Sequence, residues 1–194
     1  VPTSLPNVEI DEKKIVSSTG ALALDKLPKS MVVIGAGYIG LEMGTVWSRL
    51  GTKVEVVEFL PRILPGMDSE VAKKFKAMMT KQGLSFHLNT AVKSAQSTGS
   101  GVKLVLADAK TGEETEMSCD IALVSVGRKP NTDGLGLEDL GVEMTDRGQI
   151  KVDADFETNI DGIFAVGDVI PGPMLAHKAE EDAVAAVEIM AGQA

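Results

Sequence analysis

The chain has 194 residues, 44% of them hydrophobic and 24% charged, with a formal net charge of −9; that is ordinary globular composition, with room for one large or two small domains. The acidic balance argues against nucleic acid and against an anionic membrane surface as partners. No apolar stretch approaches the ~20 residues that span a bilayer, and the single cysteine, Cys119, excludes an internal disulfide or a dithiol redox centre within the chain.

Residues 1 to 28 carry prolines at 2, 6 and 28 and read as an irregular connector, with a short strand at Ile15-Val16 and a turn at Ser18-Thr19-Gly20. No secretory or transit segment opens the chain, which begins at Val1 and looks cut from something longer. An apolar run, Met31 to Ile34, then stops at Gly35-x-Gly37-x-x-Gly40 and passes into an amphipathic segment. Gly35 suits the tight turn out of a strand, Gly37 lets backbone approach a diphosphate, and Gly40 lets the helix pack near the strand. The helix N-terminus offers free N–H groups to an anion. Ile39, Met43, Val46, Trp47 and Leu50 recur at helical spacing, and Gly51 is a natural stop. Trp47 on that stripe reads as core in preference to a ligand contact. A second apolar run, Val54 to Val57, ends at Glu58, an acid about 20 residues past the first glycine and so placed to bond a ribose 2′-hydroxyl.

Phe59 to Gly66 is a loop at the carboxyl end of that strand, the edge where open α/β sheets bind ligands. Asp68 is the expected N-cap of a second helix with Val71, Phe75, Met78 and Met79 on its apolar stripe, stopped at Gly83, and Lys73, Lys74, Lys76 and Lys81 on a solvated face. Leu84 to Leu88 reads as a strand in which His87 has no catalytic partner motif. From Ala91 to Met117 alternation replaces helical spacing, with Val102, Leu104 and Leu106 alternating and turns at Gly99, Gly101 and Gly112, so an antiparallel meander is expected in place of a crossover helix. Cys119 reads as a small residue at a strand start or, less simply, a reactive thiol. Ile121 to Val126 is a buried strand ending at Gly127-Arg128-Lys129, whose two cations either touch phosphate or are merely exposed.

Residues 131 to 146 look like loop, and Gln149 to Val152 and Ile163 to Val166 look like short strands. Asp168 closes the second of these and either accepts hydrogen bonds from a polyol or makes an Asx-type turn. After Pro171-Gly172-Pro173 a final helix opens at Met174, with Ala179, Ala183, Ala186, Val187 and Met190 as its packing face and His177 in its first turn.

Taken together, Val-Val-Ile-Gly35-Ala-Gly-Tyr-Ile-Gly-Leu-Glu42, Val-Val-Glu58, Val-Gly127-Arg-Lys-Pro-Asn, Ala-Val-Gly-Asp168 and Pro-Met174-Leu-Ala-His-Lys-Ala-Glu resemble the flavoprotein disulfide reductases, most closely their dihydrolipoamide-oxidising branch, over all 194 residues. The resemblance implies an α/β fold: a Rossmann-like NAD-binding domain, parallel sheet with a three-stranded antiparallel meander, over residues 1–130, and a partial FAD-binding (central) domain segment over 131–194. It implies that Gly35, Ala36, Gly37, Tyr38, Ile39, Gly40, Leu41 and Glu42 form the diphosphate loop and the start of its helix, with Glu42 toward the nicotinamide. By the same resemblance Glu58 holds the adenosine ribose, and Val92 and Gly127 line the NAD site. Asp168 takes the FAD ribityl chain, and Met174, Leu175, Ala176 and His177 run beside the flavin. Glu58 favours NAD over NADP, since a carboxylate at the ribose repels a 2′-phosphate; Arg62, four positions on, could soften that rejection.

The implied parent activity is oxidation of protein-bound dihydrolipoamide through a redox disulfide and FAD, with hydride delivered to NAD. Its implied partners are a lipoyl domain of a 2-oxo acid dehydrogenase complex or of the glycine cleavage system, and a second copy in a homodimer. The implied location is the mitochondrial matrix in a eukaryote or the cytoplasm in a bacterium. The redox cysteine pair and the His–Glu acid/base pair of that family have no counterpart here, so no catalytic residue and no metal ligand is assigned, and the 194-residue chain alone is expected to show no turnover. A mercuric or glutathione-type reductase, or a non-catalytic NAD-binding module, are the alternatives. Ile163 to Val166 and the Ala179–Met190 face are expected to be exposed or covered by a second copy.

Overall fold

The computed structural model describes residues 1–193. These form two compact units, Pro2–Gly127 and the residues from Arg128 onward with Val1. The first unit carries a five-stranded parallel sheet and a three-stranded antiparallel one. In chain order it runs β1 (Ile15–Val16), α1 (Ser18–Leu22), β2 (Ser30–Ile34), α2 (Tyr38–Leu50), β3 (Lys53–Val57), α3 (Ser69–Lys81), β4 (Ser85–His87), then the meander β5 (Thr90–Ser97), β6 (Val102–Asp108) and β7 (Glu114–Cys119), and finally β8 (Ile121–Val124). The parallel sheet is ordered β1-β8-β2-β3-β4, so β2 lies at its centre and the chain leaves it after β4 to build the meander before returning as β8.

Alternation along the strands decides what covers each face. Met31, Val33, Val54 and Val56 pack with Leu41, Trp47, Ala72 and Met79 under the helices. Val32, Ile34, Val57, Ala122 and Val124 pack with Ala95, Val102, Leu104 and Leu106 under the meander. A parallel strand buried on both faces reads as a continuous apolar run, which is why β2, β3 and β8 stand out in the sequence. Each fully buried aliphatic side chain in these layers contributes about 1.5–3 kcal/mol.

Both crossover helices are capped as their sequences suggest. Asp68 accepts N–H bonds from Glu70 and Val71 at 2.9 and 3.0 Å. Gly51 ends α2 in the left-handed region at φ +108°, which glycine adopts without strain. The faces they bury differ from the expected stripes. In α2 the buried residues are Gly40, Leu41, Gly44 and Trp47, while Val46 and Leu50 point outward. Small residues lie next to the sheet, so the helix approaches too closely for branched side chains. In α3, Ala72 and Met79 are buried with Phe75 beside them, whereas Val71 and Met78 are exposed. Ser18 to Leu22 is a short helix and not a turn, because the Ser17 hydroxyl caps it by accepting from Thr19 N–H.

The second unit holds α4 (Leu137–Leu140), a 3-10 turn at Gly167–Val169 and α5 (Ala176–Met190) around a small core of Val142, Ile150, Ala165 and Ile170. The runs expected to be strands at 149–152 and 163–166 make only isolated antiparallel bridges, Met144 with Ile150 and Glu157 with Phe164. A strand needs a neighbour's ladder. Each run makes only a few bonds across to another segment, such as Lys151 N–H to Glu143 O at 2.9 Å and Ala165 N–H to Phe156 O at 3.0 Å, beside turn bonds such as Thr145 N–H to Gln149 O at 2.7 Å. On α5 only Ala186 is fully buried, and Val184, Val187 and Met190 are exposed. Among the described residues no helix is long and apolar enough to cross a membrane.

Candidate functional site

At the carboxyl end of β2 three glycines meet three different demands. Gly35 sits at φ +102°, and a Cβ there would lie 2.6 Å from the Ser125 carbonyl oxygen. Its N–H donates to Val57 O at 2.9 Å, continuing the sheet one step past the strand. Gly40 packs just as tightly, with a Cβ there 2.3 Å from Gly35 O and 2.5 Å from Ser125 Oγ. Gly37 is different. It is the N-cap of α2 at φ −74°, ψ 177°, a conformation open to any residue, and it receives no side-chain cap. A Cβ on Gly37 would meet nothing within 4 Å. Neither backbone nor neighbours require glycine at 37, and the space before it adjoins the N–H groups of the first turn of α2. That open space, a cradle facing the positive end of a helix, fits an anion bound through backbone amides.

Glu58 belongs to the same cradle. Its carboxylate accepts from Ala36 N–H at 2.8 Å through one oxygen and from Leu60 N–H at 2.9 Å through the other. Its backbone is tied on both sides, N–H to His87 O and O from Thr90 N–H, each 2.9 Å. Two amide bonds leave about half of a carboxylate's acceptor sites free, so this acid is held rigidly and can still receive hydroxyl donors. The loop after β3 closes on the same point, Leu64 N–H donating to Ala36 O at 2.9 Å. Leu64 adopts φ +49°, unusual for a side chain of its size.

Residues 35–42 and Glu58 are thus brought together by direct bonds. Ala36 and Leu41 are buried, so only their backbone faces outward, while Tyr38 and Glu42 are exposed on α2. Val92 is half-buried on β5 beside a bulge, packed on the meander side, and Gly127, at φ +144°, is bonded to Thr3 N–H at 3.0 Å. Ser125 was not singled out in the sequence, although its hydroxyl donates toward Ile34 O and Gly35 O at 2.9 and 3.2 Å. A serine in an apolar run, one step past the strand, was the available signal.

In the second unit Asp168 lies in the 3-10 turn, its carboxylate 3.7 Å from the Arg128 guanidinium. The turn packs against α5, since a Cβ on Gly167 would stand 3.0 Å from that of Ala179, and Gly167 N–H donates to Asp182 at 3.3 Å, which Lys178 also pairs. Leu175 caps α5 without a side-chain bond. Met174 and Leu175 are half-buried there, and Ala176 and His177 exposed.

Two titratable residues outside these sites are inert in character. Cys119 ends β7 instead of starting a strand, is buried, and burial pushes its thiol up to about 11. It therefore stays unmodified when the folded protein meets a thiol alkylator at pH 8, and reacts after denaturation; mass spectrometry of both samples checks this. His87 Nε2 lies 2.8 Å from Glu55, which Lys53 also pairs at 2.7 Å. The Lys53 bond, with His87 behind it, holds the Glu55 carboxyl below the ordinary glutamate range against its partial burial. A depressed folded value stabilises above the unfolded value and is lost as pH falls through the folded one. Acid unfolding of Glu55→Gln should accordingly be less steep over that range, as followed by circular dichroism. Among the described residues no group of His, Cys, Asp and Glu could hold a metal ion.

The family profile described as pyridine nucleotide-disulphide oxidoreductase matches residues 2–183. Dihydrolipoyl dehydrogenase 2, mitochondrial, of Arabidopsis thaliana is 57% identical over 98% of this chain and 38% of its own length. Leghemoglobin reductase of Vigna unguiculata is 59% identical over 98% of this chain and 36% of its own. The chain thus spans little more than a third of these relatives. Among solved structures, LpdA of Mycobacterium tuberculosis superposes with a TM-score of 0.87 at 30% identity, covering all of this chain and 41% of that one. The HOCl-induced flavoprotein disulfide reductase RclA of Escherichia coli does so at 0.83 and 28%, covering 93% of this chain and 40% of that one.

Proposed function

The chain belongs to the pyridine nucleotide-disulphide oxidoreductase family, and from that premise we propose that it carries the NAD site of a dihydrolipoyl dehydrogenase. NAD and FAD are the cofactors that membership implies. We assign about residues 1–130 to the NAD-binding domain and 131–194 to a returning segment of the FAD-binding domain. The observation that carries the reading is the pairing of an open Gly37 with a rigid Glu58 carboxylate bonded to the preceding residue, Ala36. The amides at the start of α2 meet the diphosphate, and Glu58 receives the hydroxyls of the adenosine ribose. Because that carboxylate cannot swing away without releasing Ala36 and Leu60, it rejects a 2′-phosphate, which selects NAD over NADP. Glu42 would face the nicotinamide end, and Val92 and Gly127 would line the NAD site.

In the second unit Asp168 would accept from the flavin's ribityl hydroxyls, and the backbone from Met174 through His177, where α5 begins, would run beside the electron-rich edge of its ring. Bound flavin supplies two-electron transfer between a disulfide and a nicotinamide; the residues of this chain bind and orient. With one cysteine, the chain holds no dithiol of its own, so we expect no turnover from these residues alone, and the NAD-binding module is the reading that its chemistry by itself supports. For the whole protein we propose oxidation of dihydrolipoamide on a lipoyl domain, in a homodimer, and in the mitochondrial matrix if the source is a eukaryote. Relatives named for leghemoglobin reduction match equally well, so the electron acceptor beyond NAD rests on the rest of the protein.

Fluorescence titration of the 194-residue chain tests the assignment. NADH should saturate, and NADPH should bind at least tenfold more weakly. Equal affinities would remove Glu58 from the ribose, and no saturable NADH signal on folded protein would remove the site.

A further inference from the structure

Ser125 stands where the parallel ladder between β2 and β8 ends. The register runs from Met31 with Ile121 to Ile34 with Val124. One step on, Ser125 N–H still donates to Ile34 O at 2.9 Å, while Gly35 turns away. The hydroxyl then takes over from the ladder, reaching Ile34 O at 2.9 Å and Gly35 O at 3.2 Å. The two closed glycines are closed by this residue, Gly35 against its carbonyl and Gly40 against its hydroxyl.

The hydroxyl has a single proton, which it shares between Ile34 O at 2.9 Å and Gly35 O at 3.2 Å, and Ile34 O has the Ser125 amide as a second donor while Gly35 O does not. A carbonyl dipole pointing forward would set negative charge against a bound diphosphate. Held on Ser125, the Gly35 carbonyl is drawn to the rear of the loop and N–H groups are left at the front. Resting on the NAD reading above, we infer that Ser125 is a positioning residue for the diphosphate: it fixes the glycine loop so that its amides, and not its carbonyls, face the anion.

The experiment titrates NADH, ADP-ribose and adenosine into the 194-residue chain, wild type, Ser125→Ala and Ser125→Cys, at a temperature where all are folded, with melting temperatures alongside. Loss of one hydrogen bond predicts about three- to tenfold weaker NADH and ADP-ribose binding for the alanine variant. Adenosine, which has no diphosphate, should be unaffected, and the weakly donating cysteine should fall between. Undiminished NADH affinity in folded Ser125→Ala overturns the inference while leaving the NAD site intact. So does equal weakening of all three ligands, which marks a merely loosened site, and so does failure of both variants to fold, which assigns the hydroxyl to structure. Absence of saturable NADH binding by the wild type instead sinks the NAD reading.

Discussion

Glu58→Gln should weaken NADH binding by about 10- to 100-fold and narrow the preference over NADPH. The first effect follows from the charge. Hydrogen bonds to an ionised group contribute roughly 1.5–3 kcal/mol, about one to two decades in affinity, and the ribose hydroxyls lose that acceptor. The second effect follows from removing the like charge that faces a 2′-phosphate. The amide side chain can also accept from only one of Ala36 and Leu60, both of which the carboxylate now holds, so the loop loosens as well. Isothermal titration with both nucleotides measures the ratio directly. Unchanged NADH affinity would mean that Glu58 serves the loop alone.

The second large effect separates two glycines of one motif. Gly40→Ala forces a methyl to 2.3 Å from a backbone oxygen that Ser125 holds in place, so helix and strand must part. Overpacking of this kind destabilises by about 1–3 kcal/mol or more, roughly 2–4 °C in melting temperature per kcal/mol for a chain this long. Gly37→Ala meets nothing within 4 Å and needs no unusual backbone angle. Exchanging glycine for alanine at an N-cap costs at most about 1 kcal/mol. Its methyl nevertheless occupies the space the diphosphate needs, so nucleotide affinity should fall more than tenfold on a protein that melts almost normally. Calorimetry and titration of the two variants should therefore rank them in opposite orders.

These contrasts show what could be read from the residues alone. The strands β2, β3 and β8 and the meander were legible because burial on both faces leaves an unbroken apolar run and burial on one face leaves alternation. The motif located the loop, but the pattern Gly-x-Gly-x-x-Gly treats its three glycines alike. Only packing distinguishes Gly35 and Gly40, which the fold requires, from Gly37, which it does not. The bond between Glu58 and Ala36 was likewise out of reach of spacing, since it depends on β2 and β3 lying in register, Ile34 beside Val57. Helix faces were misread where small residues carry the contact. Gly44 in α2 and Ala72 in α3 are buried while Val46 and Val71 are exposed, because hydrophobicity marks what could be buried and close approach selects what is. Ser125 carries little signal in the sequence for a related reason: its contact is with a neighbour 90 positions away.

The most direct measurement is a structure of the chain with NADH bound. The account places the diphosphate against the amides that begin α2, in front of Gly37, with a ribose hydroxyl on the Glu58 carboxylate and the Ala36 bond retained. A nucleotide found elsewhere, or a Glu58 side chain that has swung out to solvent while the ribose is held by other groups, would contradict it.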